Sequence, residues 1–272
     1  MSNLLRRLSI TFLGALTCVC GFSSLTLAQE GDADLAKKLS NPVANLISLP
    51  FQANYDHGYG SEDGSKFYVN VQPVMPVSLN EDWNLISRTI LPVVYQNDIN
   101  GNSGTDTGIG DTVQSLFLSP TEPGPGGLVW GAGPVFLLPT ASESSLGLDQ
   151  WGAGPTAVGL FMKDAWTVGV LSNHIWGTDD GSAASATNAT FLQPFINYTT
   201  PDAWTFALNT ESTYDWNAEK WSVPVNGIVS KLVDVGGQKV SLGAGVRYWV
   251  DGPDAGPDGW GARFILTFLF PK

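Results

Sequence analysis

The sequence contains few of the residues that carry redox chemistry, bind metals or bind nucleic acid. Its 272 residues include two cysteines, two histidines, and 13 lysines and arginines against 25 aspartates and glutamates. Cys18 and Cys20 both lie in the first 28 residues, so no disulfide framework can staple the rest of the chain. Two histidines without a neighbouring cysteine are not typical of a transition-metal site, and no glycine-rich phosphate loop follows a strand. We therefore expect no cofactor and no metal.

The first 28 residues have the pattern of a secretory signal peptide. Arg6 and Arg7 precede an uncharged apolar stretch that ends in small residues at Ala28. Cleavage there would leave 25 acidic and 11 basic residues, a net charge of −14. That charge excludes nucleic acid as a partner, because phosphate binding needs clustered lysine and arginine. An uncleaved membrane anchor is the alternative.

Long apolar runs are absent after the leader, and the hydrophobic residues instead recur every second position. From 204 to 216 one face carries Trp, Phe, Leu, Thr, Ser, Tyr and Trp, and the other carries mainly small and polar residues. Residues 260–270 repeat this pattern. The period predicts an all-β chain with twelve strands, at 46–55, 66–78, 83–97, 110–119, 128–138, 152–162, 165–176, 189–199, 203–215, 220–231, 238–250 and 260–270.

The connections alternate between tight turns and long polar loops. Residues 80–82, 163–164 and 200–202 are tight, whereas the stretches from Asp56 to Ser65 and from Thr140 to Gln150 are longer and polar. Short periplasmic turns and long extracellular loops are typical of a closed, antiparallel transmembrane β-barrel of the outer membrane. We predict a barrel over 46–272, preceded by a lead-in at 29–45 with a short helix, which either plugs the lumen or lies in the periplasm.

Tryptophans lie near the predicted strand ends. Trp166 and Trp176 are ten residues apart on one face, and ten residues climb about 25 Å at roughly 3.3 Å per residue and about 40° of tilt, the height between two aromatic girdles. We assign to these girdles Trp83, Trp166, Trp176, Trp204, Trp216, Trp221 and Trp260.

Several stretches resemble a known family. They are NPVA (41–44), LPFQ (49–52), LNEDWNLISR (79–88), WGAGPT (151–156), NATFLQPF (188–195), NTESTYDW (209–216) and LTFLFPK (266–272). The chain resembles bacterial outer-membrane transporters similar to the barrels of the MetA pathway of phenol degradation. The resemblance implies an outer-membrane barrel that passes small molecules of unassigned identity, apolar or aromatic compounds among them.

Charged residues in phase opposite to the apolar face are predicted to line the lumen, because a charge facing lipid costs about 2–4 kcal/mol at the membrane centre. They would form either a charged constriction or a structural salt-bridge network. The charged candidates are Arg88, Glu211, Arg247 and Arg263, and the neutral ones are Asn70, Gln72, Gln193, Asn197 and Asn209.

Phe268 and Phe270 are assigned to the signal read by the barrel-assembly machinery, although Pro271 and Lys272 follow them. Outer-membrane lipid and lipopolysaccharide are the other expected partners. Two alternative functions remain. One is a secreted, soluble β-protein that binds a ligand, and the other is a membrane lipid hydrolase that uses Ser172 and His174, which share a strand face.

Overall fold

The computed structural model describes residues 22–99, 104–178 and 186–271. From residue 47 onward the chain forms a closed barrel of twelve antiparallel strands, which confirms the predicted fold class. The strands are β1 (Ile47–Tyr59), β2 (Gly64–Val71 and Val74–Ser78), β3 (Trp83–Asn97), β4 (Thr105–Ile109 and Thr112–Pro120), β5 (Leu128–Leu138), β6 (Gly152–Lys163), β7 (Trp166–Gly177), β8 (Asn188–Thr199), β9 (Trp204–Thr210 and Ser212–Asp215), β10 (Lys220–Val235), β11 (Gln238–Asp251) and β12 (Gly259–Phe270).

Each strand pairs with its neighbours in sequence, and β1 closes the barrel by pairing with β12. This closing register runs from Ile47 opposite Phe270 to Tyr55 opposite Ala262. Among the described strands, closure leaves no open sheet edge. An open edge would expose unpaired backbone groups to lipid, which has no hydrogen bonds to offer them.

Three strands are interrupted, and each interruption lies at a proline or opposite one in the neighbouring strand. Proline has no backbone N–H for the ladder of hydrogen bonds. In β2, Pro73 has no backbone N–H for the ladder, although its carbonyl still accepts from the Thr89 N–H at 3.2 Å. β4 breaks at Gly110, whose N–H reaches the carbonyl of Pro92. β9 breaks at Glu211, opposite Pro224 of β10. Gln72 and Glu211 therefore lie at interruptions of β2 and β9.

The side chains alternate between a lipid-facing and a lumen-facing surface. On β12, Trp260 and Phe264 are 62% and 61% exposed, while Arg263 between them is 1% exposed. This arrangement is the reverse of a soluble protein, since the large apolar side chains lie outside and the charges lie inside.

The barrel has a turn end and a loop end. The turn end carries the start of β1, the end of β12 and the connections 79–82, 121–127, 164–165, 200–203 and 236–237. The loop end carries the connections 60–63, 139–151, 216–219 and 252–258, together with the strand ends at Asn97, Thr105, Gly177 and Asn188.

Three predicted boundaries are wrong by four or more residues, and one of them is the end of β10, which lies at Val235 rather than at 231. β1 continues to Tyr59, so Asp56 lies in a strand and the connection that follows has four residues rather than ten. β4 begins at Thr105 rather than at 110, because Thr105–Ile109 pairs with β3.

Within the described residues, one α-helix, α1 (Phe22–Leu39), precedes the barrel, and it contacts β8, β9 and β10 at the turn end. Among the described residues, no helix is both long enough and apolar enough to cross a membrane. Most of the predicted signal peptide, residues 1–21, lies outside the described residues, and the helix runs through the predicted cleavage position.

Candidate functional site in the barrel lumen

A cluster of buried charges lies inside the barrel. Arg263 on β12 makes a two-pronged ion pair with Glu211 on β9, with Nη1–Oε1 and Nη2–Oε2 distances of 2.8 and 2.6 Å. Arg247 on β11 lies 3.3 Å from Asp56 Oδ2 on β1 and 3.9 Å from Glu211 Oε2. Asp56 is fully buried, and Arg247 is 4% exposed. Two arginines and two carboxylates therefore balance each other inside the lumen.

Neutral donors and acceptors complete the cluster. Arg263 Nε donates to Asn54 Oδ1 at 2.7 Å, and Arg247 Nη1 donates to the Tyr68 hydroxyl at 2.6 Å. The Trp249 indole N–H donates to Asp56 Oδ1 at 2.9 Å, and its ring lies 4.7 Å from the Arg247 guanidinium carbon. Buried charges need such partners, because an unpaired buried ion carries a large desolvation penalty.

A glycine makes room for this packing. A Cβ on Gly261 would lie 2.6 Å from the Tyr55 carbonyl oxygen and 2.7 Å from Asp56 Oδ1. The strand β12 can therefore approach the buried carboxylate only because residue 261 has no side chain.

Four residues of this cluster are not among the candidates predicted from the sequence: Asn54, Asp56, Tyr68 and Trp249. The sequence pattern places Asp56 in a loop and gives Trp249 neither a girdle nor an inward position. Continuing the period of two from Gln52 through Asn54 would have placed Asp56 on the inner face.

A second feature is a lumen cavity of about 260 Å³ between the charge cluster and the turn end. Arg88 lines it, and its Nη2 donates to Gln72 Oε1 at 3.2 Å. Amides on the opposite wall also line the cavity: Gln193, Asn197 and Asn209. Asn209 Oδ1 accepts from the fully buried Asn226 at 2.9 Å. Asn70 lies on the inward phase of β2 and does not line this cavity.

The lead-in segment packs into the turn end. The side chain of Asn41 accepts from the Val43 N–H at 3.0 Å and forms a turn that points Val43 into the barrel. Val43 packs in an apolar cluster with Ile86, Phe117, Val158, Leu160, Leu171 and Phe195. Beside it, Ala36 and Leu46 pack against Ala203, Leu232 and Leu269. We call residues 36–46 the plug segment.

Polar contacts hold the helix across the opening. Lys239 Nζ on β11 lies 2.6 Å from Asp32 Oδ1 of the helix. Lys37 Nζ donates to the backbone carbonyl of Asp164 in the turn between β6 and β7. The helix is thus attached to two well-separated parts of the rim.

At the loop end, residues 139–151 fold inward. Asp111 accepts from the backbone N–H groups of Ala141 and Leu148 at 3.2 and 2.6 Å, and Leu146 is buried. A Cβ on Gly108 would lie 2.0 Å from Ser142 Oγ, so the loop lies directly against the inner surface of β4.

The tryptophans on the outside of the barrel lie toward its two ends. Trp83, Trp166 and Trp204 lie at the turn end, where Trp83 packs edge-on against Trp130 at 6.0 Å. Trp176, Trp216, Trp221 and Trp260 lie at the loop end. On β12, Phe268 packs edge-on against Phe51 at 6.2 Å, and Phe270 is 44% exposed.

Ser172 and His174 lie on the lipid-facing side of β7 and engage separate partners. Ser172 Oγ donates to the Phe191 carbonyl at 2.8 Å, and His174 Nδ1 lies 2.7 Å from Thr190 Oγ1. No hydrogen bond joins Ser172 to His174, so this pair lacks the contact by which a base activates a serine. Among the described residues, no group of three His, Cys, Asp or Glu side chains could hold a metal ion.

Comparison with protein-family models shows the family of the chain. Residues 56–255, about three quarters of the chain, match the family described as "Putative MetA-pathway of phenol degradation". The chain belongs to this family. The match begins at Asp56 and includes Glu211 and Arg247, so three of the four charged residues of the cluster lie within the MetA-pathway match.

Solved structures share the fold. An outer membrane channel from Pseudomonas putida F1 is 15% identical over 83% of this chain and 94% of its own, with a TM-score of 0.64. The outer membrane phospholipase A of Escherichia coli is 12% identical over 90% of this chain and 98% of its own, with a TM-score of 0.52. No curated protein matches the chain.

Proposed function

We propose that this member of the MetA-pathway family is an outer-membrane channel that passes small solutes through its lumen and is closed at the turn end by the plug segment. The observation that carries the proposal is an apolar exterior around a lumen lined by charges and amides. Such a lumen stabilises polar or charged solutes that lipid excludes.

Twelve strands suit this role by size. An eight-stranded barrel is filled by its own side chains, whereas barrels of 16–18 strands leave an aqueous channel. In this barrel an apolar cluster around Val43 fills one side of the lumen near the turn end, and a cavity persists on the other. Movement of the plug segment would open that cavity to the turn end.

The same arrangement gives the proposed topology. We place the turn end in the periplasm and the loop end outside the cell, with export through the signal peptide cleaved near Ala28. Lipid and lipopolysaccharide would contact the tryptophan-bearing exterior, and the barrel-assembly machinery would read Phe268 and Phe270. Cell fractionation with protease digestion of intact cells tests this placement, since cleavage confined to the turn-end connections would reverse it.

Transport is favoured over lipid hydrolysis by the contacts of Ser172. Its hydroxyl donates to a backbone carbonyl rather than to His174. A phospholipid hydrolysis assay on the refolded protein tests this choice, and activity that is lost in Ser172→Ala would overturn it.

Single-channel recording tests the channel itself. The refolded mature chain is inserted into a planar bilayer, and stepwise openings with a constant conductance are expected. Arg247→Gln should shift the reversal potential in a salt gradient toward cation preference, whereas Lys220→Gln at the exposed loop end should leave it unchanged. Insertion without any conductance would refute the channel, and failure to insert would refute the membrane placement.

A further inference from the structure

We propose that the lumen cavity binds small organic carboxylates, with the carboxylate held by Arg88 and an apolar body against the inner wall. The inference rests on the proposed function, because it names the class of solute that the channel passes. It arises from a difference between Arg88 and the two arginines of the charge cluster.

The two cluster arginines have their charges matched by the barrel's own carboxylates. Arg263 uses Nη1, Nη2 and Nε on Glu211 and Asn54. Arg247 faces Asp56, the Tyr68 hydroxyl and the Trp249 ring. These groups hold the cluster together, and both arginines lie against carboxylates of the barrel itself.

Arg88 is different because it makes no direct ion pair, and Glu211 acts on its charge only from beyond contact distance. A guanidinium has five N–H donors, and the hydrogen bond to Gln72 uses one of them. In the described part of the chain, no carboxylate lies within 4.0 Å of the Arg88 side chain. The guanidinium nevertheless lines an internal cavity, where a cation gains most from an anionic partner. A carboxylate accepting two parallel N–H bonds would match its fork.

The remaining cavity wall selects for more than charge. Amides from Gln193, Asn197 and Asn209 lie on one part of it, and apolar side chains, including Phe195 and Ile265, lie on another. An inorganic anion would leave the apolar wall without a partner. At about 260 Å³, the cavity falls just below the range of about 300–1,000 Å³ that is typical of pockets for drug-sized ligands. The ligand is therefore a short carboxylic acid rather than a long-chain one.

Calorimetric titration of the refolded full chain in detergent tests the proposal, with hexanoate as the probe and hexanamide as its neutral counterpart. Hexanoate should bind the native protein at least tenfold more tightly than hexanamide does. Arg88→Gln should weaken hexanoate binding at least tenfold. Lys66→Gln is the matched control, because Lys66 is a lumen cation that lies 5.8 Å from the Tyr68 ring and does not line the cavity.

Folding is checked by heat-modifiable gel migration. If Arg88→Gln does not refold, Arg88→Lys replaces it, since lysine keeps the charge but loses the two-pronged geometry. That variant should bind hexanoate at least threefold more weakly than the native protein. Equal hexanoate affinity in the refolded Arg88 variant, equal affinity for the amide, or no binding to the native protein would each overturn the proposal.

Conductance measured on the same preparations separates this inference from the proposed function. Stepwise conductance without hexanoate binding would overturn the carboxylate site and leave the channel standing. Hexanoate binding without conductance would overturn the channel, and with it the claim that carboxylates are its transported solutes.

Discussion

Shortening Val43 should open the turn end of the barrel. Val43 is 5% exposed and packs inside the barrel against side chains such as Phe117 and Leu160. Val43→Ala removes two buried methyl groups, worth about 1.6 kcal/mol at roughly 0.8 kcal/mol each. If the plug segment leaves the lumen when the channel opens, that loss falls on the closed state alone. The ratio of open to closed time should then rise about fifteenfold.

Single-channel recording in planar bilayers measures that ratio directly. Val168→Ala is the matched control, because it removes the same two methyl groups from the lipid-facing side of β7, where Val168 is 46% exposed. The control should leave the open probability unchanged. An open probability in Val43→Ala that equals that of the native protein would refute the gating role of the plug segment. A similar rise in the control would attribute the effect to a general loosening of the barrel.

Two other predictions concern stability and titration. Glu211→Gln should lower the free energy of unfolding of the barrel by about 3–5 kcal/mol, because it leaves the buried Arg263 without its carboxylate. Urea unfolding followed by gel migration should show a lower urea midpoint for this variant. The control Lys220→Gln, at an exposed position, should leave the midpoint nearly unchanged. A hydrogen bond from the Thr200 hydroxyl holds the pKa of Asp202 below its ordinary value. Asp202 therefore contributes its full stabilisation when the pH is above the ordinary pKa of an aspartate. This stabilisation is lost as the pH falls through the lowered pKa of the folded state. Thr200→Val should raise the pKa of Asp202 in an NMR titration, and an unchanged titration would contradict the assignment.

The twelve strands were predictable because lipid imposes strict alternation within the membrane. The stretch from Trp204 to Trp216 shows it clearly, since a charge on the wrong face would carry a large penalty. The alternation disappears where strands extend past the lipid. In Thr105–Ile109 the first four residues are Thr, Asp, Thr and Gly, and only Ile109 is large and apolar, yet the segment forms a regular ladder with β3. The prediction of a loop for this segment is wrong because the segment is held in the sheet by backbone pairing. Backbone pairing alone leaves no pattern in the sequence.

The sequence predicts which side chains of the site face the lumen, but it does not predict which of them contact each other. The phase of β11 and β12 put Arg247 and Arg263 on the side opposite to the lipid-facing residues. Their partners depend on how β1 is shifted against β12, and that register brings Asn54 opposite Arg263. Residues some two hundred positions apart share no local pattern. The insertion of Val43 into the barrel could not be predicted either. A short polar lead-in has the same sequence pattern whether it enters the lumen or stays outside.

The position of the charge cluster also bears on how the barrel closes during folding. Eleven of the twelve strand pairs join neighbours in sequence, and the remaining pair brings β1 to β12. Joining ends about 200 residues apart costs roughly 2 kcal/mol more in chain entropy than closing a hairpin of about 15 residues. The hydrogen bond from Arg263 to Asn54 crosses this last seam from within, over 209 positions. The cluster thus stabilises the pairing of β1 with β12, which is the strand pair with the largest entropic cost. The full set of buried ion pairs forms only when the barrel has closed.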